Sequence, residues 1–349
     1  MKKVRLAIIG TGGMANQHAR KFKEIKQCEL VAAVDVVAGK AQKFAADHDI
    51  PRAFTDAGEM LRQCEVDAVS VVTPDLYHAP VAIQCLKAGK HVLCEKPLAM
   101  NHAEAQKMVR AAAASKRINM VNLSYRDWSC IQAVAKLVRD GGIGELRHVE
   151  AHYAQSWLSG GGWKDQAWML WRLSTKHGSQ GVLGDIGVHI VDFATYPVGS
   201  VRKLYSQLKT YPKAKGNRVG EYQLDANDTA FLSVEFDNGV LGSIYTSRWS
   251  CGHANRLYLK IFGTKATVEI DSEVATDAYR ICKQKKGEIW QSGPWMTVKC
   301  KPTPNNYQRF ITSILTGKQD QPDFKRGAEV QKVLDACFES ERTQRPVKV

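Results

Sequence analysis

The sequence predicts an α/β protein in two parts, a doubly wound parallel sheet at the N-terminus and then a part built on an open, mainly antiparallel sheet. Three observations predict this. Short β-branched runs alternate with longer helical stretches over the first third of the chain, and the strand signal then changes to alternating apolar and polar residues. With 349 residues, the chain is long enough for two cores at about 100 to 200 residues per domain.

In order, residues 4–9, 29–34, 68–72, 91–94 and 119–121 are near-continuous apolar runs, the pattern of strands buried on both faces. Residues 14–25, 40–48, 79–88 and 102–116 have the length and apolar spacing of crossover helices. A first domain of residues 1–123 follows. Residues 124–142 read as a helix stopped by Gly141-Gly142. Beyond it, residues 146–153, 200–208, 229–236, 240–248, 256–262 and 267–270 alternate apolar and polar side chains, with turns such as Asp237-Asn238-Gly239 between them. This is an antiparallel sheet with one exposed face. A last helix over about 326–342 closes a second domain, residues 124–349.

Composition excludes more than it selects. The formal charge of +14 permits a polyanion, a membrane surface or an acidic small molecule as partner. Basic clusters at 202–218 and 283–286 sit among turn residues with little aromatic interleaving, so no nucleic-acid partner is expected. The apolar runs fall far short of a membrane helix, so no membrane partner is expected either. Met1-Lys2-Lys3 begins like a secretion signal, but Arg5 and Gly10-Thr11-Gly12-Gly13 leave no apolar segment of the required length behind it, so no signal peptide is expected. The nine cysteines are scattered without a C-x-x-C pair, and are read as reduced thiols of a cytoplasmic protein.

The chemistry begins where the first strand runs into Gly10-Thr11-Gly12-Gly13-Met14-Ala15, a G-x-G-x-x-A that opens a helix. Gly10 permits the tight turn, Gly12 lets backbone approach a pyrophosphate, and Ala15 allows close helix packing. The second strand ends in Asp35, twenty residues after Ala15, where a carboxylate accepts hydrogen bonds from the adenosine ribose hydroxyls. That carboxylate repels a 2′-phosphate, and no arginine follows it, so NAD is favoured over NADP, with Lys40 the one cation able to offset the repulsion. Thr73-Pro74 with His78, and Glu95-Lys96-Pro97, stand at the ends of later strands, where ligands of open α/β sheets bind. In the second domain Asp185, His189 and Asp192 share a face if helical, an imidazole between two carboxylates. A histidine suits acceptance of the hydroxyl proton of an alcohol undergoing oxidation. A core histidine bonded to carboxylates, or a metal site, has the same spacing.

G-x-G-x-x-A, Thr73-Pro74 with His78, Glu95-Lys96-Pro97 and D-x-G-x-H-x-x-D, in this order and at these distances, resemble the glucose-fructose oxidoreductase and inositol dehydrogenase family (Gfo/Idh/MocA). The resemblance spans nearly the whole chain, including Ile261-Phe262-Gly263-Thr264-Lys265. It implies a Rossmann domain and an α/β domain that binds substrate and joins subunits through its sheet, as a homodimer or homotetramer. It also implies oxidation or reduction of a sugar or cyclitol, with the catalytic residues falling on Lys96, Asp185 and His189. The cofactor-binding set is then Gly10, Thr11, Gly12, Gly13, Met14, Asp35, Thr73, Pro74, His78, Glu95 and Lys96.

Trp157, Trp163, Trp168 and Trp171 place half of the eight tryptophans within fifteen residues, beside Gly160-Gly161-Gly162. Indoles stack on the C–H faces of sugar rings, although core packing is an equally common use. Trp163, Arg126 and Arg172 join Lys96, Asp185 and His189 as substrate-binding candidates. His148, Glu150 and His152 alternate on one strand face in a spacing that metal ligands can share, but a polar face is the commoner outcome and no metal is expected. The leading expectation is an NAD-dependent dehydrogenase acting on a sugar, anhydrosugar or cyclitol. The alternatives are an NAD-retaining glycosidase or lyase working through transient C3 oxidation, and a non-catalytic dinucleotide-binding regulator.

Overall fold

A computed structural model describes residues 3–349. It divides into two units: the chain through Ser124 together with Pro304–Gln331, and Tyr125–Thr303 together with Lys332–Val349.

The first unit alternates strand and helix: β1 (Val4–Ile9), α1 (Gly13–Lys23), β2 (Cys28–Val34), α2 (Ala38–Asp47), β3 (Ala53–Phe54), α3 (Ala57–Gln63), β4 (Ala68–Val71), α4 (His78–Lys87), β5 (His91–Cys94), α5 (His102–Ser115) and β6 (Asn119–Val121). The strands are parallel in the order β3-β2-β1-β4-β5-β6. The order reverses between β1 and β4, so ligands are expected where their carboxyl ends diverge. Leu6, Ile8, Ala15, Phe22 and Leu93 fill the core beneath α1. The edge strand β3 spans only two residues and α3 only seven, too short for a readable apolar period.

The second unit begins with α6 (Ser129–Arg139), five residues later than the sequence suggests, because Ser124–Asp127 forms a separate tight turn. It continues through β7 (Leu146–Ala154), a short α7 (Ala167–Leu170), α8 (Val188–Val198), β8 (Val201–Lys209), a small hairpin of β9 (Arg218–Val219) and β10 (Tyr222–Gln223), β11 (Thr229–Phe236), β12 (Leu241–Ser247), β13 (Arg256–Gly263), β14 (Ala266–Asp271), β15 (Ala278–Lys283) and β16 (Met296–Lys299). Helices α6 and α8 cover the inner face of the large sheet, where Val149, Ala151, Leu232, Ile244 and Leu259 are buried. The sheet is antiparallel except at β7 and β12, which pair in parallel.

The outer face carries a ladder of rings on directly paired residues: Phe231 on Tyr245 at 5.1 Å, Tyr245 on His152 at 4.7 Å, and His152 on Tyr258 at 4.8 Å. This arrangement gives the alternating histidines of β7 a packing role. His152 lies between two tyrosines and His148 stacks on Phe262, so the imidazoles serve as cross-strand ring pairs. Among the described residues no three His, Cys, Asp or Glu side chains converge as metal ligands.

The chain then returns to the first unit. Helix α9 (Asn306–Thr316), opened by an Asn305–Gln308 capping box, adds Tyr307, Phe310 and Ile311 to the N-terminal core. A division at residue 123 leaves this return out. Helix α10 (Phe324–Thr343) leads into β17 (Val347–Lys348), which pairs with β8 and gives the large sheet the order β16-β15-β14-β13-β7-β12-β11-β8-β17. Among the described residues no helix is long and apolar enough to cross a membrane.

Candidate active site

The dinucleotide cradle forms because β1 meets α1 through a turn only glycine can make. Gly10 has φ +92°, and a Cβ there would lie 2.6 Å from the Val72 carbonyl oxygen. A Cβ added at Gly12 or Gly13 would meet nothing within 4 Å, so the backbone on that side is open to a ligand. Helix α1 starts with no side-chain cap, which leaves its first N–H groups for an anion. Asp35 closes the far side. Its Oδ2 accepts from Thr11 N–H at 3.1 Å and from the Thr11 hydroxyl at 2.8 Å, while Oδ1 accepts from Val37 N–H at 3.0 Å. Burial works against its charge, but these hydrogen bonds and Lys40 prevail and hold the carboxyl below its usual range. Oδ2 is filled by the two Thr11 donors, and Oδ1 retains one lone pair for a ribose hydroxyl. At the end of β4 the buried Thr73 hydroxyl has no hydrogen-bond partner in the protein. An open glycine turn, a fixed carboxylate and an orphan hydroxyl fit a dinucleotide.

Two candidates for direct cofactor contact are placed inward instead. His78 is fully buried, its ring nitrogens 2.7 Å from the Pro97 carbonyl and 2.9 Å from the Thr73 carbonyl, so it ties the two ligand-facing loops together. Glu95 is buried too. Its Oε1 meets His18 Nε2 at 2.8 Å and accepts from Asn122 at 2.6 Å, while Oε2 accepts from the Lys96 backbone N–H at 3.1 Å. His18 Nδ1 reaches Ser70 at 2.8 Å, and Asn122 reaches Tyr307 at 3.1 Å. Burial alone would raise the Glu95 pKa, but hydrogen bonds from His18 and Asn122 and the charge of Lys96 bring it down to about 2. This network joins α1, β4, β6 and α9 beneath the Lys96 loop. His18, Asn122 and Tyr307 were not singled out in the sequence, since only tertiary packing brings them together.

In the second unit, Leu183–Gly187 is a π-helical turn ahead of α8, so the spacing of Asp185, His189 and Asp192 does not lie on one continuous α-helical face. Each carboxylate is engaged by arginine. Asp192 pairs with Arg126 through two hydrogen bonds, one of them Nε to Oδ2 at 3.0 Å. Arg126 is 4% exposed and stacks on Tyr196, so this substrate-binding candidate is committed to the interior. Asp185 Oδ2 accepts from Arg248 at 2.8 Å and lies 3.7 Å from Arg172 Nε. Arg248, which follows β12, is fully buried over the Trp157 ring, and the sequence offered no signal for it. The His189 ring packs edge-on against Tyr125 at 4.6 Å, and Tyr125 and Tyr153 share a hydrogen bond of 2.7 Å.

The tryptophans separate by burial. Trp163 is 3% exposed, donates to the Leu158 carbonyl and packs with Leu170, Leu173 and Leu224, so that candidate is a small-core residue. Trp168 is exposed and Trp171 half-buried, and the Arg172 guanidinium stands 5.7 Å and 4.7 Å from their rings.

Residues 4–123 match the NAD-binding Rossmann fold of the Gfo/Idh/MocA oxidoreductase family, and residues 131–269 match that family's C-terminal domain. The chain is 25% identical to a levoglucosan dehydrogenase of Pseudarthrobacter phenanthrenivorans, covering 97% of this chain and 96% of the relative. A solved levoglucosan dehydrogenase complex with NADH and levoglucosan superposes with a TM-score of 0.87 at 23% identity, over all of both chains, which is a likeness of fold. An oxidoreductase domain protein from Kribbella flavida has a TM-score of 0.87 at 28% identity, again over all of both chains. With the glycine turn, the Glu95-Lys96-Pro97 loop and the Asp185–His189 segment in their respective units, the chain belongs to the Gfo/Idh/MocA family of oxidoreductases.

Proposed function

We propose that this protein is an NAD-preferring dehydrogenase that acts on a hydroxyl or carbonyl of a sugar, anhydrosugar or cyclitol. The observation that carries the reading is the cradle at Gly10 and Asp35 within a family-matched nucleotide domain. The levoglucosan-oxidising relative and the exposed indole of Trp168 support a carbohydrate substrate. NAD is preferred because the ionised Asp35 repels a 2′-phosphate, and the residues after it, Val36 and Val37, are exposed and apolar.

Bound nicotinamide supplies the hydride acceptor or donor. Gly10, Thr11, Gly12, Gly13 and Met14 would hold the pyrophosphate and Asp35 the adenosine ribose, with Thr73 and Pro74 as further cofactor contacts. Lys96 donates a hydrogen bond to the reacting oxygen and stabilises the charge that develops there. His189 accepts the hydroxyl proton. Asp185, held by a hydrogen bond from Arg248, orients the histidine. His78 and Glu95 hold the loops that carry Thr73 and Lys96.

The nine free thiols support a reducing cytoplasm, and the exposed Phe231 and Leu241 on the outer sheet face support a homodimer or homotetramer joined through the large sheet. The test is a screen of aldoses, anhydrosugars, inositols and glycosides with NAD and NADP, recording both reduced nicotinamide and released aglycone. Reduced cofactor without aglycone is expected. Aglycone release without net NADH would replace this reading with the redox-neutral glycosidase, and no turnover of any compound would favour a regulator.

A further inference from the structure

Arg172 differs from its neighbours in what it leaves unsatisfied. Nη1 donates to the Trp168 carbonyl at 3.2 Å, and Nε stands 3.7 Å from Asp185 Oδ2, beyond hydrogen-bond reach. Among the described residues Nη2 has no hydrogen-bond partner, although the side chain is 27% exposed. The guanidinium is held against Trp168 and Trp171, so little side-chain freedom remains to be lost when it binds.

The charge count around it is uneven. Asp185 Oδ2 accepts a 2.8 Å hydrogen bond from the fully buried Arg248 and lies 3.7 Å from Arg172, so two guanidiniums share one carboxylate, and the nearer, buried one takes most of its charge. The nearby buried Lys213 and Asp228 pair at 2.9 Å and also cancel. Arg172 carries the charge in surplus. An arginine cannot shed its proton, and its planar fork matches two oxygens of one oxyanion. A neutral hydroxyl accepts one of those hydrogen bonds and leaves the charge uncompensated, whereas a carboxylate or phosphate accepts two and neutralises it.

We propose that Arg172 is a specificity-determining residue and that the preferred substrate is a carbohydrate bearing an oxyanion, a carboxylate or a phosphate. This rests on the carbohydrate dehydrogenase reading above and narrows its substrate class.

The test reads binding apart from turnover. The NADH-loaded protein is titrated calorimetrically with D-glucuronate, D-glucose 6-phosphate and D-glucose, in wild type, Arg172→Met and Arg172→Lys. At least one anionic sugar is expected to bind about tenfold or more tighter than glucose, a difference of about 1.4 kcal/mol. That advantage should shrink as salt is raised, vanish in Arg172→Met and persist in part in Arg172→Lys. Which anion gains distinguishes carboxylate from phosphate. Glucose binding as tightly as both anions, or an anion advantage that survives in Arg172→Met, overturns the proposal. NADH formation from neutral sugars without any anion preference would remove this inference and leave the dehydrogenase reading standing. Arg172-dependent anion binding with no NADH from any sugar would do the reverse.

Discussion

Asp35 pins Thr11 beside the glycine turn, and in the proposed binding mode the same carboxylate would face the 2′-phosphate of NADP. Asp35→Ser combined with Val36→Arg removes that repulsion and adds a phosphate partner, so kcat/KM is expected to shift from NAD toward NADP. Unmodified protein that uses NADP as well as NAD would contradict the assignment. Lys96 and His189 are separable by pH. His189→Ala should lower kcat by about 10²- to 10⁴-fold, leave NAD affinity nearly unchanged and erase the acidic limb of the profile. Lys96→Ala should also cripple turnover but keep that limb; loss of the limb in Lys96→Ala alone would exchange their roles. Arg248→Met removes the 2.8 Å hydrogen bond to Asp185 while Arg172 stays 3.7 Å from it, and is expected to cost about 1.5–3 kcal/mol, read by urea denaturation.

At the scale of elements, the turn from β1 to α1 depends on Gly10 for two separate reasons, its positive φ and the Val72 carbonyl behind it. Gly10→Ala should therefore lose at least about 2 kcal/mol of stability and most NAD affinity, measured by thermal unfolding and cofactor titration; an alanine variant that binds NAD normally would mean the turn is not the cradle. The ring ladder on the outer sheet face makes a pH prediction. Burial first, then the charge of Arg256 outweighing that of Asp271, lowers the His152 pKa from 6.5 to about 4, and its Nε2 has no hydrogen-bond partner. His253 lowers it further and Glu273 raises it, while Tyr245 and Tyr258 stack on its two faces. As pH falls from 6.5 toward 4 the unfolded chain binds a proton that the folded ring refuses, so stability declines across that window. His152→Phe should flatten that part of the stability profile; an unchanged slope would show that the decline comes from other groups.

For the whole molecule, Phe231 and Leu241 stand more than half exposed on a sheet whose other face is covered. A patch of that kind is a liability unless a second copy covers it. The protein is expected to be a dimer or tetramer by light scattering at micromolar concentration, and Phe231→Asp with Leu241→Asp should shift it toward monomer without unfolding it. A wild-type monomer would leave the face without that explanation.

By itself the sequence determined the alternation of strand and helix, the glycine turn, Asp35 and the Glu95-Lys96-Pro97 loop, because each is written within a few residues and enforced by local backbone geometry. The antiparallel sheet was legible for the same reason, its period of two being set by the pleat. What only the tertiary structure decided are partners separated by long stretches of chain. Arg248 meets Asp185 across 63 residues, and Tyr307 reaches Asn122 across 185, because α9 returns to the first core. The same holds for burial: four tryptophans look alike in sequence, yet packing against leucines sends Trp163 inside and leaves Trp168 beside Arg172. Side-chain type and spacing state what a residue can do; which charge is cancelled, and which is left over to bind, depends on neighbours that only the folded core supplies.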